Sequence, residues 1–237
     1  MARTVVGVLR GGTSSEYDLS LKTGASILNA LPEDAYDARD IFIDRAGQWH
    51  ARGFPVAPAR ALQQLDVVVN ALHGGIGEDG TVQRVLDSVG VPYTGSSAVA
   101  SALALHKARA GEVLQRAGIR MPQGISFTAS HEEDTGVMAR HTFAKFGPPY
   151  IVKPALEGAS HGIMIAASIA DLPHVLAEIL DEYHSAIVQE FIEGEEATVG
   201  VLEDFRSEPL YAFPPVHVLL PDDAPFFQVH HHREGTH

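Results

Sequence analysis

Apolar runs and helical periodicities alternate along the first hundred residues. A β-branched run at 4–9 ends at two glycines, and a second apolar run spans 66–72. A helix is expected to begin at a capping box formed by Ser15 and Asp18, and another follows residue 80, where apolar residues recur at helical spacing. Strands that are apolar throughout and alternate with helices predict an α/β fold with a parallel sheet, because helices cover both faces of such a sheet.

The second half of the chain continues to alternate, and a domain boundary is expected near residue 96. The predicted elements are a long Ala-rich helix at 97–117, a strand near 125–127, a helix at 132–146, a strand at 150–153 with a hairpin partner at 162–166, a helix at 171–183, and strands at 187–192 and 197–202. The region from 203 onward is rich in proline and is expected to be irregular.

Composition and charge narrow the classes of function. Hydrophobic residues make up 45% of the 237 residues, which is typical of a globular protein, and the formal net charge of −13 disfavours nucleic acid and anionic membrane surfaces as partners. The chain contains no cysteine, so disulfides and thiolate metal sites are excluded. The first apolar run is too short for a signal peptide, and no run approaches the ~20 residues that span a bilayer, so a cytoplasmic protein is expected.

Two glycine-rich stretches follow the predicted strands of the first half. The stretch 11–16 reads GGTSSE, and Glu16 is expected beside the carboxyl end of a strand, where it could hold an ammonium group. The stretch 73–83 reads HGGIGEDGTVQ and combines glycines with His73 and Glu78. The alternatives are a plain strand-to-helix turn for the first stretch and a flexible loop with solvated charges for the second.

Two stretches of the second half indicate a nucleotide. A strand delivers Lys153 to the small loop 155–162, which can fold over phosphates, although a hairpin loop with a surface lysine is the alternative. The stretch 189–196 reads QEFIEGEE and could present backbone groups to a base and a carboxylate to a ribose. From spacing alone, a solvated strand edge remains the competing interpretation of that stretch.

Together these motifs resemble the D-alanine–D-alanine ligase family of the ATP-grasp superfamily. GGTSSE, HGGIGEDGTVQ, YTGSS, HK, IVKPALEGASHG and QEFIEGEEATVGVL occur in the family's order, and the resemblance extends from residue 4 to about 202. It implies an ATP-dependent carboxylate–amine ligase that makes peptidoglycan precursors through an acyl phosphate, with ATP and D-alanine as substrates. A homodimer is also expected from the family.

The resemblance also implies three parts and a set of site residues. The parts are an N-terminal α/β substrate domain (1–96), a central ATP-grasp subdomain with the glycine-rich loop (97–186) and a C-terminal ATP-grasp subdomain that is incomplete (187–237). Glu16 and Ser160 are assigned to catalysis, and His73 and Glu78 to the first D-alanine. The residues assigned to the nucleotide are Lys107, Lys153, Glu157, Gly158, Gly162, Gln189, Glu190, Ile192 and Glu196.

The chain departs from the family pattern at several positions. Ala159 replaces the first serine of the glycine-rich loop, and Gln189 replaces the usual acid beside adenine. Near the end, His232 and Arg233 stand where the family has a lysine and a tyrosine, and the run His230–His232 is either a solvated loop or an adventitious metal ligand. The family's Mg²⁺ ligands have no counterpart, so a non-catalytic nucleotide-binding homologue is the alternative function.

Overall fold

The computed structural model describes residues 2–129 and 134–220, so the expectations for 221–237, including those for His230–His232 and Arg233, lie outside the described residues. The chain divides into two compact units, one built from 1–121 and 155–158 and the other from 122–154 and 159–237. The three-part division at 96 and 186 stays a prediction.

The first unit is built around a five-stranded sheet in the order β4-β3-β2-β1-β5. Strand β1 pairs in parallel with β2 and β5, whereas β2, β3 and β4 form an antiparallel meander. The strands are β1 (Thr4–Gly11), β2 (Tyr36–Ile43), β3 (Trp49–Ala51), β4 (Phe54–Pro55) and β5 (Val67–Asn70). The helices are α1 (Tyr17–Ala30), α2 (Pro58–Ala61), α3 (Thr81–Val89), α4 (Ala98–Leu105) and α5 (Lys107–Arg116).

The core of the first unit confirms that strands β1 and β5 contribute buried apolar residues. Val8, Leu9 and Val68 have no exposed surface, and Ile41 and Ile43 of β2 join Leu9 and Val68 in one apolar cluster. Burying such a side chain completely contributes about 1.5–3 kcal/mol relative to leaving it exposed. Leu86 of α3 completes the cluster, and the helical spacing after residue 80 reflects this contact.

Several local expectations for the first unit were wrong. Glu16 is the N-cap of α1 and its side chain caps no backbone N–H, so the capping box at Ser15 does not form. The Ala-rich helix breaks into α4 and α5 at His106, whose backbone is extended. The meander β2–β4 was not foreseen.

The second unit is built around a four-stranded antiparallel sheet in the order β6-β9-β7-β8. Its strands are β6 (Gly124–Thr128), β7 (Tyr150–Pro154), β8 (Met164–Ala166) and β9 (Ser185–Glu190), and its helices are α6 (Thr135–Phe143) and α7 (Leu172–Tyr183). Helix α7 buries Leu172, Val175, Leu176, Ile179 and Leu180, which recur at the spacing of one helical face. This face covers one side of the sheet.

The region after residue 195 contains strands, which corrects the expectation that the part from 203 is irregular. Strand β10 (Glu196–Thr198) pairs with β13 (Val216–Val218), and β11 (Val201–Phe205) pairs with β12 (Glu208–Ala212), both antiparallel. Phe205, Tyr211 and Phe213 stack edge to face within this region. None of the helices in the described ranges has the length and apolar character that crossing a membrane requires.

Candidate functional site

The loop after β1 places Glu16 at the start of α1. Gly11 and Gly12 have φ of +93° and +99°, and a β-carbon on Gly11 would lie 2.1 Å from the carbonyl oxygen of Ile43, so only glycine fits there. Ser14 then turns the chain, because its Oγ accepts the backbone N–H of Glu16 at 3.2 Å. Glu16 is thereby fixed beside the carboxyl ends of the parallel strands, where open α/β sheets bind ligands.

The stretch His73–Gly80 is an ordered loop, against the alternative of a flexible one. It contains a 3₁₀ turn at Gly75–Gly77 and ends at Gly80, whose φ of +87° and close approach to the carbonyl oxygen of Ala98 exclude a side chain. Asp79 Oδ1 accepts the backbone N–H of Thr81 at 2.7 Å and so begins α3. The glycines of this motif therefore allow the backbone to follow this path.

Two side-chain amides hold the middle of this loop. Asn70 Nδ2 and Gln83 Nε2 both donate to the carbonyl oxygen of Gly77, at 3.0 and 2.7 Å, directly before Glu78. Gln83 is 4% exposed, and its Oε1 is buried without a hydrogen-bond partner. The two donors to one oxygen fix the backbone from which the Glu78 side chain extends.

Carboxylates of the first two motifs converge on Gly158. A β-carbon on Gly158 would lie 3.6 Å from Glu78 Oε2 and 3.7 Å from Glu16 Oε2. Lys107, at the start of α5, donates its Nζ to the carbonyl oxygen of Glu157, and its backbone N–H donates to Ala155 O at 3.1 Å. The first unit thus brings Glu16, Glu78, Lys107, Glu157 and Gly158 together, with His73 on the adjoining backbone.

In the second unit, Lys153 and Gln189 lie on one face of the sheet. Lys153 pairs in register with Ile187, and Ile151 pairs with Gln189, so these four side chains point to the same side. The opposite side carries Tyr150 and the core packed by α6 and α7. The polar face is therefore the one that the helices leave uncovered.

The environment of Lys153 is unusual for a lysine. Burial lowers the pKa of its ammonium group below the usual 10.5, and the nearby carboxylate of Glu196 opposes this shift only in part. A buried ammonium group whose pKa is lowered by desolvation gains when an anion binds beside it. Perturbed lysines of this kind cluster at functional sites.

Glu190 and Ile192, at the end of β9, differ in their contacts and in their exposure. Glu190 Oε1 accepts the backbone N–H of Gln123 at 2.8 Å, and its own N–H donates to Gln123 O, so this side chain is engaged in fastening two segments. Ile192 lies beyond the strand and is 64% exposed. Its exposed aliphatic side chain can pack against an apolar or aromatic group.

The glycine-rich loop after β7 has a left-handed backbone. Ala159, Ser160 and Gly162 have φ of +46°, +59° and +66°, which is uncommon for residues with a side chain. A β-carbon on Gly162 would lie 2.7 Å from Pro154 Cγ and 2.8 Å from the ring of Tyr183, so glycine is required there. Successive backbone N–H groups in a tight turn can converge on one side, an arrangement that suits phosphate.

Sequence reasoning missed the supporting residues of the first unit. Ser14 donates its hydroxyl to the carbonyl oxygen of His73 at 2.5 Å, and Asn70, which lies in the apolar run that predicts a strand, donates its Nδ2 to Gly77 O. The one signal for Ser14 was its place inside a glycine-containing turn before a helix. For metals, residues 2–129 and 134–220 contain no group of three or more His, Asp or Glu side chains arranged to hold an ion.

Family models match most of the chain. The model for the D-ala D-ala ligase N-terminus matches residues 52–96, and the model for the D-ala D-ala ligase C-terminus matches residues 113–232. The D-alanine--D-alanine ligase of Geotalea uraniireducens (strain Rf4) is 36% identical over 199 residues, which are 84% of this chain and 59% of that protein.

Solved structures show the same architecture. The VanG D-Ala:D-Ser ligase from Enterococcus faecalis superposes with a TM-score of 0.81 at 25% identity, covering 96% of this chain and 72% of that one. The D-alanine--D-alanine ligase from Bacillus anthracis, solved in complex with ATP, gives a TM-score of 0.71 at 26% identity, covering 93% of this chain and 67% of that one.

These matches define an α/β protein of the ATP-grasp type, as the sequence predicted. The chain belongs to the D-alanine–D-alanine ligase family. It spans 59–62% of the length of the curated relatives that it matches.

Proposed function

We propose that this protein is an ATP-dependent carboxylate–amine ligase of the D-alanine–D-alanine type that acts in the cytoplasm on peptidoglycan precursors. The observation that carries the proposal is the convergence of the Glu16 and Glu78 carboxylates beside Gly158, next to the ordered loop of His73. Carboxylates that face a glycine backbone suit a small ammonium-bearing ligand. Because the chain belongs to the D-alanine–D-alanine ligase family, we assign D-alanine as this ligand.

The first unit supplies the groups for the amino acid. Glu16 holds the ammonium group of the first D-alanine, His73 lies near its carboxylate, and Glu78 supports the same loop. In this assignment the N-terminal substrate domain is 1–96, and the two ATP-grasp subdomains are 97–186 and 187–237. The dense backbone support around Gly74 and Gly77 favours this role, because a binding group must be held rigidly to discriminate between ligands.

The groups for the nucleotide are assigned from the family pattern. Lys107 and Lys153 bind the phosphates, and the loop from Glu157 and Gly158 to Ser160 and Gly162 offers its backbone N–H groups to them. The adenine is placed against the end of β9 by Gln189, Glu190 and Ile192, and Glu196 accepts the ribose hydroxyls. Because the Glu190 carboxylate already accepts a backbone N–H, its side chain is not assigned to the base.

The proposed reaction has two steps. A carboxylate oxygen of the first D-alanine attacks the γ-phosphorus of ATP, which forms an acyl phosphate and releases ADP. The amine of the second D-alanine then attacks the acyl carbon, which forms the amide and releases phosphate and a proton. The residues of this chain act by positioning the reactants and by neutralising charge on the transferred group.

Magnesium is expected for the family, but the ligands present do not fit it. Mg²⁺ takes oxygen ligands in near-octahedral geometry, and no acidic cluster of that kind occurs in the described ranges 2–129 and 134–220. None of these residues is therefore assigned to the ion.

The first experiment measures ATP binding by calorimetry. Lys153→Ala should weaken binding by about 1.5–3 kcal/mol, as expected for loss of a charge-assisted hydrogen bond in a partly buried site. Lys145→Ala is the matched control, because Lys145 is an exposed lysine of the same unit. Equal ATP affinity of the wild type, Lys153→Ala and Lys145→Ala would show that Lys153 does not bind the nucleotide.

The second experiment measures phosphate release from ATP with D-alanine, and in parallel with D-serine as the second amino acid. Release that depends on D-alanine and is lost in Glu16→Gln supports the ligase. Nucleotide binding without amino-acid-dependent release favours the non-catalytic homologue instead. Sedimentation of the same preparations tests the homodimer that the family suggests.

A further inference from the structure

Three hydroxyl groups on the segment 14–23 connect this segment to residues 71–73, which follow β5. Ser20 has no exposed surface, and its Oγ accepts the N–H of Gly11 at 2.9 Å while donating to the carbonyl oxygen of Ala71 at 2.8 Å. It therefore joins the end of β1 to the residue that follows β5. Both hydrogen bonds are buried, so neither backbone group exchanges its partner for water.

Ser14 makes the second connection, at the backbone of His73. Its Oγ donates to His73 O at 2.5 Å and accepts the N–H of Glu16 at 3.2 Å. A hydroxyl has one hydrogen to donate and lone pairs that accept, and the Ser14 hydroxyl acts as both donor and acceptor. The backbones that carry Glu16 and His73 are thus joined through one oxygen atom.

Thr23 makes the third connection, at the imidazole ring. Its Oγ1 lies 2.9 Å from His73 Nε2. Thr23 follows Ser20 by three residues on α1, so both hydroxyls lie on the helix face that meets the segment 71–73. The ring is held from the helix, while its backbone is held by Ser14.

We propose that Thr23 is a positioning residue for His73, an inference that rests on the proposed role of His73 in binding a carboxylate. The Thr23 hydroxyl donates to Nε2, so the proton of the neutral ring resides on Nδ1. Nδ1–H is then the group that donates to the carboxylate of the bound amino acid. Without the hydroxyl, the ring loses both its tautomer preference and its fixed orientation.

The experiment uses two substitutions that separate shape from hydrogen bonding. Thr23→Val keeps the branched shape and loses the hydroxyl, whereas Thr23→Ser keeps the hydroxyl and loses the methyl group. The full chain is labelled with ¹⁵N-histidine, and the His73 signals are assigned by their disappearance in His73→Gln. Spectra are recorded at alkaline pH, where neutral imidazoles show one protonated and one unprotonated nitrogen.

The wild type and Thr23→Ser should show a protonated Nδ1 and an unprotonated Nε2. In Thr23→Val the two shifts should move toward each other as the tautomers mix. D-alanine affinity should fall about tenfold in Thr23→Val, as expected for loss of one hydrogen bond of ordinary strength, and ATP affinity should not change. Ser26→Ala, an exposed serine of the same helix, is the control for general effects on α1.

Unchanged His73 shifts in Thr23→Val, or a wild-type ring with the proton on Nε2, would overturn the inference. A fall in D-alanine affinity that is as large in Thr23→Ser as in Thr23→Val would overturn it too, because the methyl group and not the hydroxyl would then matter. If D-alanine does not bind to any of these proteins, the proposed function fails. The spectra still decide whether Thr23 positions the ring.

Discussion

Gly74 lies so close to Glu16 that a β-carbon at position 74 would be 2.7 Å from the carboxylate oxygen Oε2. The backbone of Gly74 has φ of +63° and ψ of 177°, a region that is essentially restricted to glycine. The absence of a side chain at Gly74 therefore permits this conformation and also leaves room for the Glu16 carboxylate. In this way a glycine of the stretch 73–83 makes space for the acid of the stretch 11–16.

The first prediction follows from this contact. Gly74→Ala should reduce the free energy of unfolding by about 1–3 kcal/mol, because it adds backbone strain and displaces the Glu16 carboxylate. Gly90→Ala is the control, since Gly90 has a φ of +74° but no atom within 4 Å of the added carbon. Urea unfolding measures stability, and calorimetry with D-alanine should show weaker binding in Gly74→Ala alone. Equal D-alanine binding by both variants would contradict the prediction.

The second prediction concerns two glycines inside helices. An exchange of glycine for alanine in a helix ordinarily stabilises a protein by about 0.5–1 kcal/mol. Gly111 of α5 has only Met121 Cε nearby, at 3.8 Å, so Gly111→Ala should show this gain. At Gly24 of α1, the new carbon would lie 2.6 Å from Arg10 Cβ, and Gly24→Ala should destabilise instead.

Arg10 has little freedom to avoid that clash. Its Nε and Nη2 donate to the two carboxylate oxygens of Asp40, each at 2.7 Å, and this pairing raises the pKa of the guanidinium. Thermal unfolding of Gly24→Ala and Gly111→Ala should therefore shift the midpoint in opposite directions. A gain in both variants would show that Arg10 moves aside at no cost.

The sequence predicted strands β1 and β5 and missed strands that depend on distant partners. Strands β1 and β5 lie within the apolar runs at 4–9 and 66–72, and such runs can be recognised locally. Strand β2 reads YDARDIFI, and its charged residues hide the strand pattern, because the pairing of Asp40 with Arg10 of the neighbouring strand appears only in the folded protein. No local pattern reveals such a pair.

The break between α4 and α5 and the arrangement of the candidate site also depend on residues that are distant in the sequence. No glycine or proline marks His106, but the backbone N–H of Lys107 donates to Ala155 O, nearly fifty residues away, and this bond fixes where α5 begins. Likewise, the motifs identified Glu16 and Glu78 one at a time. Both carboxylates lie close to Gly158 in the fold, and the spacing of the motifs along the sequence does not predict this.

The third prediction concerns pH and Lys153. Because burial lowers the pKa of this lysine in the folded protein, the unfolded chain holds the proton more tightly between the folded pKa and 10.5. The stability of the wild type relative to Lys153→Met should therefore increase as the pH rises through that window. Urea unfolding of both proteins at about pH 7 and about pH 10 measures the change. A difference that is constant, or that shrinks for the wild type at high pH, would contradict the direction assigned to this pKa.

The last prediction tests whether Asn70 and Gln83 share the carbonyl oxygen of Gly77. If either donor is removed, the other still satisfies that oxygen, so Asn70→Ala and Gln83→Met should each cost about 1–2 kcal/mol of stability. If both are removed, the oxygen before Glu78 loses both of its side-chain donors, and the double variant should cost more than the two single losses combined. The excess should be about 0.5–1 kcal/mol, which a double-mutant cycle by urea unfolding can resolve. Gln83→Met combined with the exposed Ser26→Ala is the control pair, for which the losses should add. Additive losses for Asn70 and Gln83 would mean that the two amides act independently and do not share the oxygen.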